Sequence, residues 1–213
     1  MTAFHHRVFD VEIERKVKVS NLEWPESERF KSDSGLGGNR HYEDLRREPW
    51  WLYLEALAYE QAFVRQFEAA VDDDARADLM EALDEDEDAA CLCGLDPGVA
   101  SCVLAVSASR CAPFTSCNGG AFDGGHHESY PLVCFYARPP LVACLVSCAE
   151  EAEVGIIDYG GALQVYSRQI TGMLDFAETL YRRRRELAGL RLIPERLAAP
   201  PAPATRQLSL FDD

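Results

Sequence analysis

Residues 132–166 read LVCFYARPPLVACLVSCAEEAEVGIIDYGGALQVY, and the order of elements within this stretch decides the fold. Leu132 to Tyr136 is a short apolar run bounded by Pro131 and by Arg138-Pro139-Pro140, which predicts a strand. Pro139 and Pro140 suit the first turn of a helix, where a missing N–H costs nothing. The residues that follow, to about Glu151, are apolar nearly all round, so the predicted helix is buried. Val154 to Tyr159 and Leu163 to Tyr166 predict two more strands, and Gly160-Gly161 between them is a hairpin signal.

Working outward, Ser167 is placed to cap a last amphipathic helix that carries Met173, Leu174, Phe176, Leu180 and Leu187. On the other side, Asp96 and Pro97 give a cap and first-turn signal for a helix to about Ser109. A strand follows from Pro113 to Cys117, then the loop Asn118 to His127. Residues 90–190 therefore read helix, two strands, helix, two strands, helix. Hairpins separated by helices favour an α+β fold, an antiparallel sheet with helices packed on one face. No internal repeat is visible, although two helix–strand–strand units would admit a structural duplication.

Farther toward the N-terminus, Phe9, Val11, Ile13, Val17 and Val19 alternate with charged residues, a period of two that predicts a half-buried or edge strand. Pro49 opens a long apolar helix over about Trp50 to Val71, with Trp51, Leu54, Leu57, Phe63, Val64 and Phe67 available for packing. The acidic segment Asp72 to Asp88 predicts a short helix around Leu79 to Leu83 and a solvated connection. The expected organisation is an N-terminal strand and helical region (1–71), an acidic connection (72–89), the α+β core (90–190) and a disordered tail (191–213).

The 213 residues are 47% hydrophobic and 27% charged, ordinary for a globular protein, but the net charge is −15. Such acidity argues against direct nucleic-acid binding, since phosphate contacts need a basic surface. The N-terminus lacks the apolar core of a signal peptide, and the most apolar run, Pro139 to Ala149, is too short to span a bilayer. The expectation is a cytoplasmic protein without membrane contact, whose eight cysteines stay reduced.

Candidate chemistry is sparse. Cys117, His126 and His127 flank a glycine-rich turn, where an imidazolium near the sulfur would favour a thiolate nucleophile. Alternatively, Cys111, Cys117 and one histidine would offer zinc ligands, and Cys91, Cys93 and Cys102 another set. Neither spacing matches a two-pair zinc pattern, so the expectation is no metal and no cofactor. Buried thiols and solvated histidines are the simpler reading, and an enzyme is not favoured. Cys144 and Cys148, one helical turn apart, belong to the core. Ser34 to Asn39 superficially resembles a phosphate-binding turn but lacks the lysine that a P-loop requires. Arg182, Arg183, Arg184 and Arg185 form a basic cluster at a helix end, complementing its dipole. They would either touch DNA phosphates weakly or pair with the acidic segment 72–88.

The chain closes with Ala198-Ala-Pro-Pro-Ala-Pro-Ala-Thr205 and then Gln207-Leu208-Ser209-Leu210-Phe211-Asp212-Asp213. The proline-rich stretch suits neither helix nor packed strand. An apolar pentapeptide beyond it is therefore placed to be held by something else. Gln207 to Phe211 resembles the short peptide by which many bacterial polymerases and repair proteins bind the replication sliding clamp. It fits that consensus at every position, a match that arises by chance in roughly one window per half million. The resemblance covers these five residues alone. It implies that Leu210 and Phe211 fill an apolar pocket with Leu208 beside them, while the Gln207 amide fixes the register. The leading expectation is recruitment to the clamp in replication, repair, or a mobile-element or defence process. The alternatives are an enzyme or metal-site protein built on the Cys117 loop, and an acidic regulator of a DNA-binding protein.

Overall fold

A computed structural model describes residues 7–25, 44–122 and 128–190 of the chain. In chain order the elements are β1 (Arg15–Lys16), α1 (Trp50–Ala69), α2 (Asp73–Glu85), α3 (Ala100–Ala108), β2 (Ala112–Cys117), β3 (Leu132–Tyr136), α4 (Pro139–Glu151), β4 (Gly155–Tyr159), β5 (Ala162–Tyr166), α5 (Ile170–Arg182) and α6 (Arg184–Leu190). The strands form one sheet in the spatial order β1-β4-β5-β3-β2. All neighbours are antiparallel except β1, which runs parallel to β4. The two hairpins meet along β3 and β5, with Val133 opposite Val165. A helix precedes each hairpin, so the strand order has the symmetry expected of a duplicated helix–hairpin unit.

The sheet is buried on both faces, because the strand period of two sends alternate side chains to opposite sides. Val133, Phe135, Ile156, Leu163 and Val165 face the helices and share one core with α1, α3, α4 and α5. Leu132, Cys134, Tyr136, Ala162 and Tyr166 face the other way. The N-terminal arm covers them with Val11, Ile13 and Trp24. Tyr166 fastens that arm: its hydroxyl donates to the Glu12 carbonyl and accepts from the Glu14 N–H, each at 2.9 Å. The N-terminal alternation is thus real, but only Arg15 and Lys16 enter the sheet. Before it, Val11 and Ile13 lie across the sheet face and turn inward, whereas after it Val17 packs against the helical core and Val19 is 44% exposed.

Several helix boundaries depart from the sequence expectation for identifiable reasons. Helix α2 spans Asp73–Glu85 rather than one turn, since Asp72 caps it through the Ala75 N–H and its first-turn aspartates suit the dipole. Helix α3 begins at Ala100, because Gly98 turns the chain at φ 86° and Asp96 is engaged elsewhere. Ser167 does not cap α5. Gln169 occupies that position, and the Ser167 hydroxyl accepts from the Gln169 N–H just before it. On α1, Trp51 is 57% exposed and Leu54 40%, so neither contributes to the core. The Ser34–Asn39 loop and the tail from residue 191 lie outside the described residues.

Candidate functional site

The most structured polar feature lies where the turn before α3 meets the turn after β2. Asn118 is buried and links both. Its amide nitrogen donates to the Pro97 carbonyl at 3.3 Å, and its amide oxygen accepts from the Gly120 N–H at 3.0 Å. Its backbone N–H donates to the Asp96 carboxylate at 3.4 Å. From the N-terminal arm, Arg7 donates to the Gly120 carbonyl at 2.7 Å. Glycine is required at 98: besides its positive φ, a Cβ there would run into Ile170 and Phe122. Phe122 in turn packs edge-on against Phe63 and Phe67 of α1, with ring centroids 5.1 Å apart in each case.

These turns form one end of an open groove of about 900 Å³. Helix α2 and the turn Glu87–Leu92 form its other walls. Met80, Leu83, Leu95, Pro97 and Phe122 supply apolar surface, and Asp73, Glu81, Asp86, Glu87 and Asp96 supply carboxylates. Among the described residues Arg76 is the one cation lining it, held by Asp73 at 2.6 Å and stacked over the Phe67 ring. Asp86 is fixed by the Tyr59 hydroxyl at 2.8 Å and the Asp88 N–H at 2.9 Å. Burial and the Asp86 hydrogen bond both push the Tyr59 phenol above its ordinary pKa.

At the N-terminus of α3 lies a carboxylate that sequence reasoning missed. Glu60 of α1 is 0% exposed. Its two oxygens accept from the Ala100 and Ser101 N–H groups at 2.8 and 3.0 Å. A neighbouring helix thus supplies the cap that Val99 cannot give α3. Burial pushes the Glu60 carboxyl up to about 7, against the downward pull of Ser101 and the backbone donors. The signal was its position: Tyr53, Ala56, Leu57, Glu60, Phe63 and Val64 follow the helical spacing of one buried face.

Cys117 sits at the end of β2, buried, with its sulfur accepting from the Gly119 N–H at 3.3 Å. His126 and His127 lie outside the described residues, so no sulfur–imidazole pair is brought together among those described. Cys111 and Cys117 flank the length of one strand, a separation of about 20 Å that rules out a shared metal. Among the described residues, no three His, Cys, Asp or Glu side chains gather as a metal would need. Burial raises the thiols of Cys102, Cys134 and Cys148, the last two to about 12, so they are held protonated. Cys144 and Cys148 are core residues. Cys93 is exposed.

Three of the four clustered arginines are engaged locally. Arg182 meets Glu151 at 3.0 Å and Arg183 meets Glu186 at 2.9 Å. Arg184 lies 4.0 Å over the Tyr181 ring. Among the described residues no helix is long and apolar enough to cross a membrane. Gln207, Leu208, Ser209, Leu210 and Phe211 lie outside the described residues. A scan against protein-family models, a search of curated proteins and a search of solved structures each found no match to this chain.

Proposed function

We propose that this protein is recruited to the bacterial replication sliding clamp through Gln207 to Phe211 and acts there in a DNA-associated process. The observation that carries the reading is the pentapeptide itself, complete at every consensus position. Sixteen residues, 191–206, separate it from the end of α6. Fully extended they span about 55 Å, more than the width of a small domain, so the clamp and the folded core need not collide. A tether of this length sets an effective concentration on the order of millimolar once the peptide is bound.

The acidity of the chain gives recruitment its purpose. A protein of net charge −15 gains little from phosphate contacts, and two of the four clustered arginines are paired with glutamates. Binding the clamp places the core at DNA without a basic surface. Leu210→Ala with Phe211→Ala in the full chain removes both anchors. Titrated against purified clamp by calorimetry, the double variant loses binding by at least about tenfold while its thermal unfolding is unchanged. Equal affinity of variant and wild type would refute the proposal.

A further inference from the structure

We propose that the groove between α2, the Glu87–Leu92 turn and the Gly94–Pro97 segment docks a cationic amphipathic segment of a partner protein. The inference stands apart from the clamp reading, because it rests on the folded core and not on the tail.

The lining has two chemistries in the right places. Met80, Leu83, Leu95 and Phe122 offer apolar surface for anchoring side chains. Around them stand the carboxylates of Glu81, Asp86 and Glu87, with Asp96, which accepts the Asn118 N–H, at one end, in addition to Asp73 paired with Arg76. Exposed Asp72, Asp74, Asp78 and Asp88 extend the same sign outward, which steers a positive partner and repels a negative one. The volume, about 900 Å³, accommodates several side chains.

Charge placement also separates a peptide from smaller cations. A metal ion needs three or more ligands converging on one point, and no such group occurs among the described residues. The carboxylates are spread instead from α2, through the Glu87–Leu92 turn, to Asp96, so a singly charged molecule would meet one of them at a time. A chain bearing several positive groups meets them together. Asp86 is already oriented by Tyr59 and the Asp88 N–H, so part of the ordering cost is met before binding. The tail peptide of this chain, ending in Asp212 and Asp213, has the wrong sign for the groove.

The test uses the full chain and a fluorescein-labelled peptide of about twelve residues, with leucines at helical spacing and lysines elsewhere. Two comparison peptides replace every lysine by glutamate or every leucine by serine. Fluorescence anisotropy should show saturable binding of the leucine–lysine peptide alone. Glu81→Lys with Glu87→Lys, both exposed rim positions, should weaken it at least about tenfold. Glu48→Lys with Glu150→Lys, exposed and outside the groove, should change it less than about twofold. Matching unfolding curves confirm that the variants fold. Absence of saturable binding, equal binding of the leucine-to-serine peptide, or equal loss in both pairs of variants would overturn the proposal. Rim variants should retain clamp binding, and a chain ending at Arg206 should retain peptide binding, which keeps the two readings distinguishable.

Discussion

Replacing Glu60 by glutamine tests how the helical layer is held together. The carboxylate bridges α1 to the start of α3, accepting two backbone N–H groups in a site with no solvent. Glutamine keeps the shape but offers one acceptor oxygen, and its NH₂ faces a donor. One buried N–H loses its partner, at a cost of about 1–3 kcal/mol. The pH dependence is more discriminating. Burial raises the folded-state value from 4.5 to about 7, so the unfolded chain releases this proton first. The contribution of Glu60 is complete below pH 4.5 and is lost as pH rises through 7. Between pH 5 and 8.5 the loss is on the order of 2–3 kcal/mol. Urea unfolding followed by tryptophan fluorescence would measure it, with Trp50 packed against Tyr53 and Tyr181 as a reporter. The stability advantage of wild type over Glu60→Gln should shrink by that amount across the range. A constant difference would refute the reasoning, since it would mean that the N–H groups and the α3 dipole keep Glu60 ionised throughout.

Other consequences follow from the arm and the cysteines. Tyr166→Phe removes the two side-chain hydrogen bonds that tie Glu12 and Glu14 to the sheet and leaves the Ile156 N–H on the Glu14 carbonyl, so it should cost about 1–2 kcal/mol and expose the arm to limited proteolysis before the core unfolds. Unchanged stability and cleavage would show that the apolar contacts of Val11, Ile13 and Trp24 suffice. Thiol titration of the native protein should modify exposed Cys93 first, while Cys102, Cys134 and Cys148 react only on unfolding. Early modification of any of the three, read by peptide mass mapping, would contradict their burial.

The core hairpins were legible because their signals are local. Gly160 and Gly161 both adopt positive φ at the β4–β5 turn, and Pro139-Pro140 opens α4 as its sequence requires. Strands β3 and β5 are buried along their length and, Gln164 apart, apolar or aromatic, which identifies them as interior before any partner is known. What escaped the sequence was tertiary. Asp96 has the chemistry of a cap, but its carboxylate receives the Asn118 N–H, and Glu60, forty residues upstream of Ala100, caps α3 instead. Nothing local distinguishes those two uses of a carboxylate. The period of two correctly marks Val11 and Ile13 as one apolar face but fails at Val17 and Val19, and periodicity does not say whether a face joins a sheet edge or lies over it. The groove was invisible for the same reason. Its walls come from α2, the Glu87–Leu92 turn and residues 94–97, 118 and 122, and the acidic run that lines it looked like solvated connection.

The clamp reading is the central claim, and truncation tests it most directly. The full chain and a chain ending at Arg206 would be passed over immobilised sliding clamp, with a synthetic Gln207–Asp213 peptide as competitor. The full chain should bind saturably and be displaced by the free peptide, while the truncated chain should bind at least about a hundredfold more weakly. Equal binding of the two chains, or no displacement by the peptide, would contradict recruitment through Gln207 to Phe211.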